Sequence, residues 1–205
     1  MRVSKEQAAE NRRRVVEVAS ALFRERGFNG IGVADLMKEA GLTHGGFYGQ
    51  FASKEDLAAE ACAHAMETMS ARWSQAAETA GEDALPAMLD SYLSPRHRDH
   101  SAAGCPVAAL GTDVARQGGA ARGAFTRGLR PFLDSLSRLV PGRSAEAKRK
   151  AALATFSGMV GALILARAVD DPALSEEILA AARASLGKPD SGGALTAVGP
   201  DSGGN

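Results

Sequence analysis

Cysteine is almost missing from the chain: Cys62 and Cys105 are the only two among 205 residues. Two thiols cannot build a disulfide framework, and no zinc-ligand spacing surrounds either one. Aromatic residues are also scarce, at 5%, with one tryptophan. The apolar load falls on Ala, Leu and Val, a mixture that favours closely packed helices over sheets. Net charge is absent too, with 24 Lys/Arg balanced by 24 Asp/Glu. Such a chain does not coat nucleic acid or anionic membrane indiscriminately, so any nucleic-acid contact must come from a local patch. The segment Met1 to Arg14 lacks the apolar stretch of a signal peptide. The longest uncharged apolar run, Ala151 to Ala166, is interrupted by Thr155, Ser157, Gly158 and Gly161. It falls short of the roughly 20 residues that span a bilayer, so a buried helix in a soluble, cytoplasmic protein with no membrane partner is expected. No Ser/His/Asp set, phosphate-binding glycine loop or metal-ligand spacing is present, so the reading is of a non-enzyme without cofactor.

What is there is a chain 45% apolar, enough at this length for one unit, or for two small units sharing a core. Ser4 and Gln7 stand at capping-box spacing, and Val15, Val18, Ala19, Leu22 and Phe23 form one helical stripe that Gly27 stops as a left-handed cap. A short helix spans about 33–40 with Gly41 as its stop. Thr43 opens a third, very short helix to about Gln50. Ser53 and Asp56 cap a fourth that runs to Ala80. Further helices are expected at about 83–93, 106–117, 120–139, 144–169 and 173–186, with breaks at Pro95, Gly118-Gly119, Pro141-Gly142 and Asp171-Pro172. No stretch alternates with the period of a strand. The expectation is an all-α fold of about nine helices, followed from Gly187 to Asn205 by a Gly-rich flexible tail.

Residues 1–54 carry nine Lys/Arg against six acids, so a mildly basic head precedes a mildly acidic body. The third segment, Thr43-His44-Gly45-Gly46-Phe47-Tyr48-Gly49-Gln50-Phe51, holds three glycines. Each interior glycine costs on the order of 1 kcal/mol relative to alanine, so packing by Phe47 and Phe51 must hold the segment. A side-chain-poor face would let backbone approach a partner closely; an irregular Gly-rich turn accounts for the spacing equally well.

Helix, short helix, tight turn at Gly41-Leu42 and another short helix make a helix-turn-helix pattern. The run Leu22-Phe23-Arg24-Glu25-Arg26-Gly27-Phe28, then Val33-Ala34-Asp35-Leu36, then Ala40 to Tyr48, then Phe51-Ala52-Ser53-Lys54-Glu55-Asp56-Leu57 resembles the N-terminal domain of TetR-family transcriptional regulators over about residues 11–58. The resemblance implies an all-helical homodimer that sets two recognition helices into successive major grooves of a palindromic operator. It implies that Thr43, His44 and Gly45 face base edges or phosphates, that Tyr48 offers its hydroxyl to a phosphate, and that Lys54 meets the backbone at a helix start. Gly49 departs from the side chain that many members carry there, which removes one phosphate contact. Arg12, Arg13 and Arg14 form a charge run suited to a solvated helix face or to phosphate attraction, with Arg13 counted among the candidate DNA contacts.

The expected division is a DNA-binding head at 1–54, an effector-binding and dimerisation body at 55–186, and the tail. Cys62, Met66, Met69 and Trp73 recur at helical steps, as a core stripe or as adaptable lining for a cavity. The resemblance implies a cavity bordered by the fourth to eighth helices. Met66, Met69, Trp73, Leu89, Tyr92, Cys105, Phe125 and Leu129 are the candidate ligand contacts, with Met88 and Phe132 as further walls. An apolar small-molecule effector is expected. Gly158, Gly161 and Ala162 on one helix, and Ile178, Leu179 and Ala182 on the next, would form a four-helix dimer seam from about 144–169 and 173–186. The resulting reading is a one-component repressor released by its effector. Two alternatives share the fold. One is a thiol sensor acting through Cys105, which precedes Pro106 at a helix start behind Arg96-His97-Arg98 and could have a lowered pKa. The other is a ligand carrier that has lost DNA binding. His97, Asp99 and His100 are too close together in a Pro-bounded loop to suggest a metal site.

Overall fold

The computed structural model describes residues 4–187 apart from Gly118 and the side chain of Glu82. Among these residues there are nine α-helices and no strand: α1 Lys5–Arg26, α2 Val33–Glu39, α3 Lys54–Ala80, α4 Ala84–Tyr92, α5 Pro95–Asp99, α6 Pro106–Gln117, α7 Gly119–Leu139, α8 Ala145–Ala168 and α9 Pro172–Leu186. Short 3-10 turns at His44–Gly46, Gly81–Asp83 and Ser101–Ala103 connect them. The flexible tail expected beyond Gly187 lies outside the described residues.

Side-chain caps set the helix starts. Ser4, Ser53 and Ser144 accept the backbone N–H three residues on, at 3.1 Å in each case. Asp171 accepts from Ala173 and Leu174 ahead of Pro172 at the first position of α9. Ser94 and Pro95 repeat that arrangement to open α5, a helix where the sequence reading had only a break. Gly27 stops α1 with φ of 74°, but its ψ of 168° lies outside the left-handed helical region, so the chain leaves extended.

The third segment also differs from expectation. It is a 3-10 turn at His44–Gly46 followed by turns, with one α-type bond from Phe51 N–H to the Phe47 carbonyl. Three glycines are too few side chains to sustain a regular helix, while Phe47 and Phe51 are buried and fix the path.

The long helix α3 is the axis of the molecule. It packs most extensively on α7, then on α1, and also on α4 and α6, while α8 lies against α9, α7 and α6. One continuous apolar cluster runs from Val15 in α1 to Leu179 in α9. By length and composition α8 could cross a membrane, yet it packs inside this bundle, and Arg167 near its end donates to the carbonyls of His97 and Arg98.

Candidate nucleic-acid interface and cavity

The exposed end of the head is built on aromatic packing. Phe23 and Phe28 meet edge to face at 5.2 Å, and Phe47 and Phe51 stack at 5.5 Å beneath the 3-10 turn. On that floor Thr43, His44 and Gly45 are exposed, and Tyr48 is 68% exposed although its ring leans on Phe47. His44 meets Tyr48 edge to face at 6.3 Å. A side chain at Gly45 would find nothing within 4 Å, so the backbone there is open to a close approach. Lys54 is the first residue of α3, half-buried, at the helix start where backbone N–H groups are free.

The three arginines of α1 separate by role. Arg12 grips both carboxylate oxygens of Glu60 on α3 and lies 4.5 Å over the Phe51 ring, so it fastens the head. Arg13 is exposed but paired with Glu10 and Glu17 on its own helix. Arg14 bonds only to the Asn11 side chain and lies beside the turn glycine Gly41. The sequence run could not distinguish them, because the difference lies in partners from α3 and in helix register.

A cavity of about 500 Å³ opens between α3, α4, α5 and the start of α6, with Arg24 of α1 in its wall. Met69, Trp73, Met88, Tyr92 and Cys105 line it. Met66 does not: it is fully buried against Gly128 of α7. Leu89 faces the core, Phe125 and Leu129 pack on the core's edge, and Phe132 sits behind Trp73 at 4.3 Å. The cavity therefore follows α3 from Ala65 to Ala77 and takes in only Met69 and Trp73 of the predicted stripe. Its lining is also less apolar, because Arg24, Arg72, Arg96, His97 and His100 share it. They come from α1, α3 and α5 with His100 just beyond it, and no spacing in the sequence joins Arg24 or Arg72 to the stretch from Arg96 to His100.

The polar side of the cavity is ordered. The Cys105 N–H donates to His97 Nε2 at 2.9 Å, so that nitrogen carries no proton, and Nδ1–H donates to the Tyr92 carbonyl at 2.7 Å. Burial and the nearby Arg167 charge lower the His97 pKa, in keeping with a neutral ring, although its bond to Tyr92 opposes the shift. The Cys105 thiol is buried, and desolvation raises its pKa. The lowered value expected from the helix start and basic stretch is not found, because burial outweighs both. The Tyr92 hydroxyl is buried beside the Cys105 thiol, with no oxygen or nitrogen partner among the described residues. Among the described residues no group of three or more His, Cys, Asp or Glu could hold a metal.

The head and body are joined outside α3 as well. Arg24 Nε donates to the Ala102 carbonyl at 2.8 Å, and Asp113 of α6 accepts the Phe28 N–H at 2.9 Å.

Residues 15–61 match the family model of bacterial regulatory proteins, tetR family. An uncharacterized HTH-type transcriptional regulator of Mycobacterium tuberculosis is 31% identical over 104 residues, half of this chain and 53% of that one, so the match spans about half the length of that relative. Among solved structures, a TetR transcriptional regulator from Chloroflexus aurantiacus is 27% identical with a TM-score of 0.71, covering 88% of this chain and 94% of that one. The reduced form of E. coli NemR shares the fold, with a TM-score of 0.73 at 21% identity over 89% of this chain and 99% of its own. Helix order, head and matched residues agree: residues 15–61 carry the N-terminal domain of the bacterial regulatory proteins of the tetR family, and the chain has the fold of TetR transcriptional regulators.

Proposed function

We propose that the chain is a one-component repressor whose homodimer binds a palindromic operator through a head at 1–54 and releases it when a small molecule fills the cavity of a body at 55–186. The observation that carries this reading is the exposed Thr43–Tyr48 surface, poor in side chains and propped by buried Phe47 and Phe51. Thr43, His44 and Gly45 would meet base edges or phosphates. Tyr48, Lys54 and Arg14 would hold the backbone, with Arg13 contributing once its intrahelical pairs exchange. Such a protein works in the cytoplasm, where its DNA is.

The dimer would form through α8 and α9. Ile164 and Leu165 on α8 and Leu174 on α9 are exposed large apolar residues, and Gly161 has open space where a side chain would be. Gly158 is already filled by Leu186 of the same chain and Ala162 is buried, so Gly161 is the point of close approach. Because α3 joins the head to the cavity, a ligand that favours one tilt of it would change the separation of two heads that must sit about one DNA turn, roughly 34–36 Å, apart.

A mobility-shift and footprinting experiment on the DNA upstream of the chain's own gene tests the reading. A repressor protects a palindrome with salt-sensitive affinity, and a reporter behind that palindrome is silenced by the protein. A carrier without DNA binding shifts no double-stranded fragment site-specifically, and that result would defeat the proposal. The thiol-sensor alternative is disfavoured by the buried, raised-pKa Cys105; Cys105→Ser should leave derepression by oxidants as it was.

A further inference from the structure

We propose that the effector is an organic carboxylate whose acid group bridges Arg24 and Arg72, with its apolar body against Met69, Trp73 and the neighbouring alanines. This rests on the cavity being the effector site.

Three independent observations meet there. First, the lining is charged with one sign: Arg24, Arg72 and Arg96 face the cavity, and no Asp or Glu lines it among the described residues. Arginine clusters without carboxylate partners are uncommon in a cleft, because like charges repel and guanidinium groups pair readily with oxyanions. Second, Arg24 has capacity to spare. Its Nε and one terminal nitrogen donate to Ala102 and Ser20, neither of them charged, and among the described residues no ion pair is found for it or for Arg72. Burial and the Arg72 charge lower the Arg24 pKa, against a smaller opposing effect of Cys105. Third, the Tyr92 hydroxyl lines the same cavity, 4% exposed, with only the Cys105 thiol beside it and no oxygen or nitrogen partner among the described residues. A buried donor met by nothing better than a thiol is a position for a ligand acceptor.

The remaining wall fits the rest of such a molecule. Ala65, Ala76, Ala77 and Ala87 leave room beside Trp73 and Met69, and a volume of about 500 Å³ takes a ligand of ordinary metabolite size. His97 cannot serve as the anion site, since both ring nitrogens are committed to backbone groups. The placement also supplies a lever. Arg24 belongs to α1 of the head and Arg72 to α3, so one carboxylate would bind two side chains of like charge, one from each helix.

The test uses the full-length protein and its single tryptophan, Trp73, which lines the cavity. Quenching of its fluorescence is titrated with 4-phenylbutyrate and decanoate, and with the neutral amide of each. The expected result is binding of at least one acid about tenfold or more tighter than its amide. Arg72→Gln and Arg24→Gln should abolish that preference, and Arg138→Gln on the far part of α7 should keep it. Arg72 is exposed and makes none of the hydrogen bonds described above, so Arg72→Gln carries the test even if the Arg24 variant fails to fold. Equal binding of acid and amide, silence of both acids at about millimolar concentration, or a preference that survives Arg72→Gln overturns the proposal. Operator binding is read separately, so a regulator with no taste for acids and an acid binder with no operator are distinguishable outcomes.

Discussion

Tyr48 and Lys54 would hold DNA in physically different ways, and salt separates them. Lys54 brings a cation that displaces a counterion, so Lys54→Ala should flatten the plot of log affinity against log salt by about one unit of slope. The Tyr48 hydroxyl is neutral. Tyr48→Ala should weaken every operator alike, by about fivefold, with the slope unchanged; fluorescence anisotropy at several salt concentrations reads both. Loss of discrimination at a single base pair would instead make Tyr48 a base reader. His97 governs a different dependence. Its pKa is lowered in the fold from an ordinary value of 6.5, so below that value the unfolded chain takes up a proton that the folded chain refuses. The stabilising contribution is complete above pH 6.5 and is lost as pH falls through the folded value. Thermal melts between pH 7.5 and about 5 should show a falling Tm, and His97→Gln should melt lower throughout but with a shallower fall in that window.

At the scale of elements, the recognition turn depends on a neighbour it does not include. Arg12 of α1 covers Phe51 and grips Glu60, although both side chains of that pair are about 40% exposed. Screening and the stacking together suggest about 1 kcal/mol for Arg12→Ala. The substitution should lower Tm modestly and speed hydrogen exchange across residues 43–51, weakening DNA binding without removing a DNA contact. How legible such elements are in sequence follows from where their causes lie. The starts of α1 and α3 were readable because Ser4 and Ser53 act on residues three positions away, while those of α8 and α9 were placed from the breaks at Pro141-Gly142 and Asp171-Pro172, where Ser144 and Asp171 prove to be the caps. Helix α5 carried the same kind of signal in Ser94-Pro95, which reads as a break when the proline is weighed alone. The glycine count pointed to an awkward third helix, and the outcome is a 3-10 turn. The cavity was readable only in part. Met69, Trp73 and Tyr92 follow helical periodicity, whereas Arg24, Arg72 and Arg96 meet through tertiary packing alone. Gly27 was recognisable as a stop, but its extended ψ reflects the carboxylate of Asp113, which lies 85 residues away from Phe28.

For the whole molecule, symmetry carries the proposed function, and in the proposed dimer α8 and α9 would carry the symmetry. Leu165, 57% exposed, is the largest apolar exposure on α8. Leu165→Glu would bury a charge in the seam in place of a leucine, and should weaken dimerisation by about a hundredfold or more. Sedimentation velocity should find a folded monomer, and that monomer should lose the operator while keeping its ligand. A dimer that survives the substitution would move the seam elsewhere. The tie between Phe28 N–H and Asp113 reaches further than this one chain. A hybrid that joins these first 54 residues to the sensor of another regulator would be cut at the start of α3. Here that cut would strand Gly27 and Phe28 without the carboxylate that seats them, and the hybrid would be expected to bind its operator yet respond feebly to inducer. Transplanting Asp113 and its helical turn along with the first 54 residues should restore the response.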